Sequence, residues 1–453
     1  MPGDHTLTAV VHDNCAAATA FGSAAGAILR HRPGAGEHIV EALSADPDFA
    51  AAHALWGLMQ ITLARCETME VAVTANGRAQ AALAKRKPNR SERAMCAALD
   101  SACCGRWRDA ADILEYALDP ASPDVLLVKL AHSLRFMAGD AAGMLALTQR
   151  YAGSRSAGYP GFGFVAGCHA FALEETGAFE AAELAAQCAL FHEPEDVWAM
   201  HALAHVYEMN NRTGEGVLWV ESGRQLWSRC NNFAKHLAWH LALFHADRGA
   251  CDKALAIYDR DVRIDRSEDF RDVANAVSLL ERLQQTGVDI GDRFDELHEL
   301  AGRRRCDATY VFASLHHLVS LLAKKDFAAA EECAGAIEQA AENGACDQAL
   351  AARNAGAPLA RAMLACAMDR PEPAFSQCLA EIASAMPVMG GSFAQRDVFL
   401  RKLLLFADAV RDYAAFSELN KLRRSMRRED SFDRMLTARR IPSIAELGQL
   451  HVA

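Results

Sequence analysis

The chain has 453 residues, with 47 Lys+Arg against 58 Asp+Glu, a formal charge of −11. That length allows two to four domains or one elongated array, and it is ample for a large buried core. An acidic chain with no long basic block has no electrostatic reason to bind nucleic acid or anionic lipid.

In chain order, the opening text MPGDHTLTAVVHDNCAAATAF has no basic stretch ahead of an apolar core, so it does not read as a signal peptide. Residues 1–40 read as an N-terminal helical segment. From residue 41 to 425 the text is rich in Ala, Leu, Glu and Arg, with Gly and Pro at spaced breaks. No Val/Ile/Thr alternation is longer than a few residues, so the fold class expected is all-α. The breaks fit a helix–turn–helix repeat of about 34 residues, the tetratricopeptide repeat. In that frame small residues at positions 8 and 20 let the two helices approach, and large ones at 4, 7, 11, 17 and 24 fill the seam.

Five segments fall on the frame. Trp56 and Gly57 take positions 7 and 8 in Asp46–Gln60, and Trp107, Ala110 and Leu114 take 17, 20 and 24 in Gly105–Pro120. Phe179, Ala182 and Pro194 take 17, 20 and 32; Ala254 and Tyr258 take 20 and 24; Phe327 and Ala330 take 17 and 20. Gly-rich pieces at Tyr151–Val165, Gly287–Arg305 and Met386–Arg396 interrupt the pattern. No low-complexity linker divides the chain, so one continuous solenoid is expected over 41–425, with 426–453 as a C-terminal tail. The basic run Lys421–Arg428 (KLRRSMRR) reads as a solvated helix face.

The 14 cysteines are scattered without a C-x-x-C pair, and many lie in Ala-rich helical text. They read as structural thiols in a reducing compartment, hence a cytoplasmic protein. No stretch approaches the roughly 18 apolar residues of a membrane span.

The richest chemistry lies in Trp198–His245. With Gly216 at position 20, His201, His205 and Glu208 fall at 5, 9 and 12, on one helical face that lines the concave groove of such repeats. In the next unit His236, Trp239 and His240 face the same groove. His245 and His169 fall at packing positions, and His316 is a weaker groove candidate. Three readings stay open. These side chains are ordinary lining of a scaffold; or they form a ligand groove, with Trp239 as an apolar plate and the His/Glu set giving directional hydrogen bonds; or they form a metal or acid–base centre, with two i, i+4 histidine pairs and Glu208. The zincin pattern H-E-x-x-H is absent, because Ala202 follows His201. The phosphate-loop, dinucleotide and nucleophile-elbow motifs are absent too. Gly390-Gly391-Ser392 reads as a loop and helix N-cap. Arg396 and Asp397 behind it would close one end of the groove if late helices curve back toward early ones.

Several segments resemble the tetratricopeptide repeat protein 38 family: HALAHVYEM (His201–Met209), HLAWHLALFHADRG (His236–Gly249), VSLLERLQQTGVDIGDRF (Val277–Phe294) and GGSFAQRDVF (Gly390–Phe399). The resemblance runs from near Asp46 to about Asp412 and implies a helical-repeat protein. It matches the family's distinctive residues at His201, His205, Glu208, His240, Gln395, Arg396 and Asp397, and it implies a specific ligand site. Phe393 departs from the polar residue expected there.

The expected function is therefore binding of a peptide or small-molecule ligand by His201, His205, Glu208, His236, Trp239, His240, Gln395, Arg396 and Asp397. An enzyme, such as a metal-dependent hydrolase or lyase, and a pure assembly scaffold are the alternatives. No cofactor or metal is called for, with zinc as the alternative. Nucleic acid and membrane are not expected partners, and a homodimer stays open.

Overall fold

The computed structural model describes residues 7–85, 87–152, 158–370 and 373–440. Among these, every regular element is a helix, as the Ala/Leu/Glu/Arg text requires. No helix is long and apolar enough to cross a membrane among the described residues.

Helices pack first on their chain neighbours. Ala50–Leu63 lies on Cys66–Leu83, Phe162–Glu175 on Phe179–His192, and Phe233–Asp247 on Cys251–Ile257. The first members of successive pairs also touch: Phe162–Glu175 meets Val197–Met209, Phe233–Asp247 meets Phe270–Gln285, and that helix meets Val311–Ala323. Small residues make the close approach possible. Ala110, Ala182, Ala254 and Ala330 are fully buried. A Cβ on Gly57 would stand 2.5 Å from Leu99, and one on Gly216 only 2.4 Å from the Phe244 ring. The Phe244 ring thus occupies the space that Gly216 leaves, and a buried side chain of that size contributes roughly 1.5–3 kcal/mol.

Late elements return to early ones. The Leu126 amide donates to Leu7, Asn231 to His31, Asp347 to Gly105 and Arg428 to Met209, all through main-chain carbonyls. Arg304 forks onto Glu67 at 2.7 and 2.8 Å. Among the described residues a main apolar core runs from Leu7 and Phe21 to Phe432 and Leu436, and a smaller one gathers Met144, Phe171 and Leu203. A boundary at residues 40 and 41 falls inside the helix Ala35–Ala45, so the N-terminal segment is part of the same packed body.

Two expectations about the C-terminus are corrected. Lys421–Arg428 is a solvated face only in part: Lys421, Arg424 and Arg428 are exposed, but Arg423 is fully buried and Arg427 nearly so. Arg423 binds Asp397, Asp430 and Asp433 at 2.7, 2.6 and 2.8 Å, and carboxylates from distant segments are what draw these arginines inward. The tail expected over 426–453 packs against the body over its described residues, 426–440. Ser431–Arg440 is helical, and Phe432 is buried between the Arg401 and Arg423 guanidiniums, 4.4 and 5.2 Å from its ring centre. Residues 441–453 lie outside the described residues.

Candidate functional site

Four helices carry the histidine cluster and its supports. Asp196 caps Val197–Met209 by accepting from the Trp198 amide at 3.0 Å. Spacing i, i+4 then sets His201 and His205 on one face, and His236 and His240 do the same on Phe233–Asp247. Phe162–Glu175 and Phe270–Gln285 flank these two and supply Glu174 and Asn275.

All four imidazoles are buried, from fully so at His205 and His240 to 9 % exposed at His236. Each offers one nitrogen, and the four lie within 4.8 Å of one another. His205 Nε2 is 2.8 Å from His201 Nε2, which is 2.9 Å from His236 Nε2. Behind them stand oxygen acceptors. His236 Nδ1 meets Asn275 Oδ1 at 2.9 Å, His240 Nδ1 meets Glu208 Oε2 at 2.9 Å, and His205 Nδ1 faces Glu174 Oε2 at 3.4 Å. Such partners fix the tautomer: an Nδ1–H donates outward and the Nε2 lone pair points to the middle.

The electrostatics follow from burial. Burial, reinforced by neighbouring imidazoles, holds His201 and His236 well below the usual histidine range, and burial lowers His240 to about 4. Burial opposes protonation of His205, yet the Glu174 carboxylate outweighs it and raises the group. Burial in turn raises Glu174 to about 7, with His205 pulling the other way. Burial would raise Glu208 as well, but the His240 hydrogen bond and the Arg427 charge overcome it and hold the carboxyl low. Arg427 donates to Glu208 Oε1 at 2.8 Å and also binds Asp247 and Asp430.

Beside the cluster lies a cavity of about 320 Å³. His201 and His236 form part of its wall, with Trp198, Phe233 and Phe171 beside them. His31 stacks on Phe233 and Trp198, with centroids 4.4 and 5.5 Å away. Polar groups come from Ser133, Asn231, Ser392 and Gln395, and cationic ones from Arg32, Arg271 and Lys129. Arg32 reaches Glu195 at 3.5 Å and Arg271 is bonded to Asp269. Lys129 differs. It is 6 % exposed, its ammonium sits 4.0 Å over the Trp198 ring, and no carboxylate pairs with it among the described residues. Burial lowers its pKa, opposed by the Cys168 thiol and the buried Asp196 carboxylate, neither of which is in ion-pair contact with it.

The sequence-derived residues therefore divide. His201, His236 and Gln395 line the cavity. His205, His240 and Glu208 stand behind its wall, not on an open groove. Trp239 is no exposed plate: it is fully buried and donates from Nε1 to Ser278 Oγ at 3.1 Å, because Phe270–Gln285 covers it. Arg396 and Asp397 do not line the cavity. Arg396 donates to the Gly390 and Gly391 carbonyls and approaches Glu175 at 3.4 Å, while Asp397 joins the Arg401 and Arg423 network.

The loop before them does serve as an N-cap, with Ser392 and Gln395 forming a reciprocal capping box. A Cβ on Gly390 would sit 2.4 Å from the Tyr310 hydroxyl and 2.5 Å from the Met137 carbonyl. Phe393 is 9 % exposed and packs in the core, its amide donating to Glu175. His316 is buried against Phe312 and Phe399, away from the cluster.

Sequence reasoning passed over Lys129, Glu174, Asn275 and Arg427. A signal existed for Glu174, which the expected repeat spacing of about 34 residues places in register with Glu208. Lys129 carried one as well, as the lone charge in the first two turns of VLLVKLAHSLRFM. No family model matches the chain.

Proposed function

We propose that this protein binds a small organic anion with a flat apolar body in the cavity between Trp198, Phe233 and the His201/His236 wall. The observation that carries the reading is Lys129, a buried ammonium that faces the cavity with no carboxylate in ion-pair contact among the described residues. Burying an unpaired charge is costly, and a bound anion would offset that cost while the aromatic rings take up the apolar part. A volume of about 320 Å³ suits a small molecule better than a peptide segment, since ligand pockets run from about 300 to 1,000 Å³.

The scaffold reading that accompanies this is a tetratricopeptide-type array. It is supported by the helix pairs stacked in chain order and by the buried small residues at the close approaches. The quoted text segments motivate membership of the tetratricopeptide repeat protein 38 family, also as a proposal. A metal-dependent enzyme is the second reading, favoured because His201 and His236 put the imidazole cluster against any molecule in the cavity.

The test uses the full chain with benzoate, 2-naphthoate and indole-3-acetate as probes, read by thermal shift and Trp fluorescence. At least one probe is expected to raise the melting temperature of the wild type and to lose that effect in Lys129→Met, whose helical signal is retained. Stabilisation undiminished in Lys129→Met would overturn the reading, as would a lack of response of the wild type to all three.

A further inference from the structure

The geometry points to a metal-ion site: we propose that His201, His205, His236 and His240 together bind one divalent first-row transition ion through their Nε2 atoms. Imidazole is a favoured ligand for zinc and its neighbours. The proposal stands apart from the ligand reading, since it rests on the cluster rather than on Lys129.

Three observations carry it. First, the nitrogens face one another. His236 and His240 each have Nδ1 committed to an oxygen acceptor, so each presents an Nε2 lone pair inward. Lone pairs repel, and one shared proton on His201 Nε2 satisfies only one neighbour. A tetrahedral ion with bonds of about 2.0–2.1 Å holds its nitrogens about 3.3–3.4 Å apart. The contacts of 2.8 and 2.9 Å and the 4.8 Å limit on the set bracket that spacing.

Second, side-chain atoms without a protein hydrogen-bond partner gather here. The one a cation would satisfy is His240 Nε2, an acceptor lone pair aimed at the other imidazoles, and Glu174 Oε1 stands unpartnered beside the set. Buried polar atoms are almost always paired, so such a concentration marks a place where something further binds. Third, the supports are those of metal-bound histidine: a carboxylate behind His240, another facing His205 and an amide behind His236. Glu174 has no arginine or lysine partner among the described ion pairs and meets only His205, so its carboxylate is free to orient that ring and to balance the charge of a bound cation.

The experiment strips the full chain with a chelator, then titrates it with Zn²⁺ alone against a competing dye and, separately, with Co²⁺. One ion per chain is expected, with the helical signal unchanged and a Co²⁺ visible spectrum of nitrogen ligation. His236→Ala/His240→Ala is expected to abolish binding. Asn275→Leu, which removes only the acceptor behind His236, should weaken Zn²⁺ binding roughly 10- to 100-fold. Lys129→Met should leave the ion in place, and so separates this site from the ligand reading.

The proposal is overturned if folded wild-type chain retains neither Zn²⁺ nor Co²⁺, or if the double variant binds like the wild type. Should the double variant not fold, Asn275→Leu decides: an unchanged Zn²⁺ affinity overturns the assignment, and a weakened one upholds it.

Discussion

Replacing Arg423 by Met probes how the C-terminal segment holds the molecule together. The guanidinium is fully buried and binds three carboxylates, Asp397, Asp430 and Asp433, at 2.6–2.8 Å. Removing one partner of a buried pair typically costs about 3–5 kcal/mol, because the other charge stays buried. Part of that is recovered here. Asp397 keeps Arg401 at 3.1 Å, and Asp430 keeps Arg401 at 3.3 Å and Arg427 at 2.8 Å. The lower end, about 3 kcal/mol or roughly a hundredfold in the folding equilibrium, is therefore expected.

The assay is urea denaturation followed by helical circular dichroism at pH 7, with Arg423→Met/Asp397→Asn as the paired variant. The double variant should lose less than the two single losses added, by about 0.5–3 kcal/mol. Acid gives a second reading. Burial would raise Asp397 and Asp430, but Arg423 and its neighbours hold both below the usual aspartate value. Their contribution is thus present above about pH 4, the unfolded value, and is lost as pH falls through the lower folded values. The gap between wild type and Arg423→Met should accordingly narrow below about pH 4. A loss under about 0.5 kcal/mol at pH 7, or a gap that widens on acidification, would refute the reasoning.

Gly216→Val places a Cβ in the Phe244 ring and should cost about 1–3 kcal/mol, with part of the loss restored by Phe244→Leu; a neutral Gly216→Val in the same urea assay would contradict the packing described. Trp239→Phe removes a donor to Ser278 and buried volume but nothing on the cavity wall. It should lower stability by about 1–3 kcal/mol while leaving the carboxylate-induced thermal shift within a few-fold of wild type; loss of that shift with stability intact would return Trp239 to the ligand site.

Much of the site was legible from one-dimensional spacing. The pairs His201/His205 and His236/His240 each share a helical face, and the repeat frame set the two helices side by side. That same frame misplaced Trp239, since it describes two helices and not the third, Phe270–Gln285, which lies over the indole. Arg423 and Arg427 looked solvated because nothing in KLRRSMRR announces partners on other segments, such as Glu208, Asp247 and Asp397. Glu174 was within reach through its repeat position, yet its pairing with His205 needs three dimensions. Gln395 lines the cavity, whereas the adjacent Arg396 and Asp397 do not, because successive residues of a helix point in different directions.

The most direct test of the central claim compares one ligand with and without its charge. Indole-3-acetate and indole-3-acetamide share a ring and differ in the carboxylate that Lys129 would meet. By isothermal calorimetry on the full chain, the acid should bind the wild type roughly 10- to 100-fold more tightly than the amide, the scale of one charge-assisted hydrogen bond of about 1.5–3 kcal/mol, and Lys129→Met should erase that preference. Equal affinities for acid and amide in the wild type, or a preference that survives in Lys129→Met, would contradict the claim that this ammonium is the cavity's anchor.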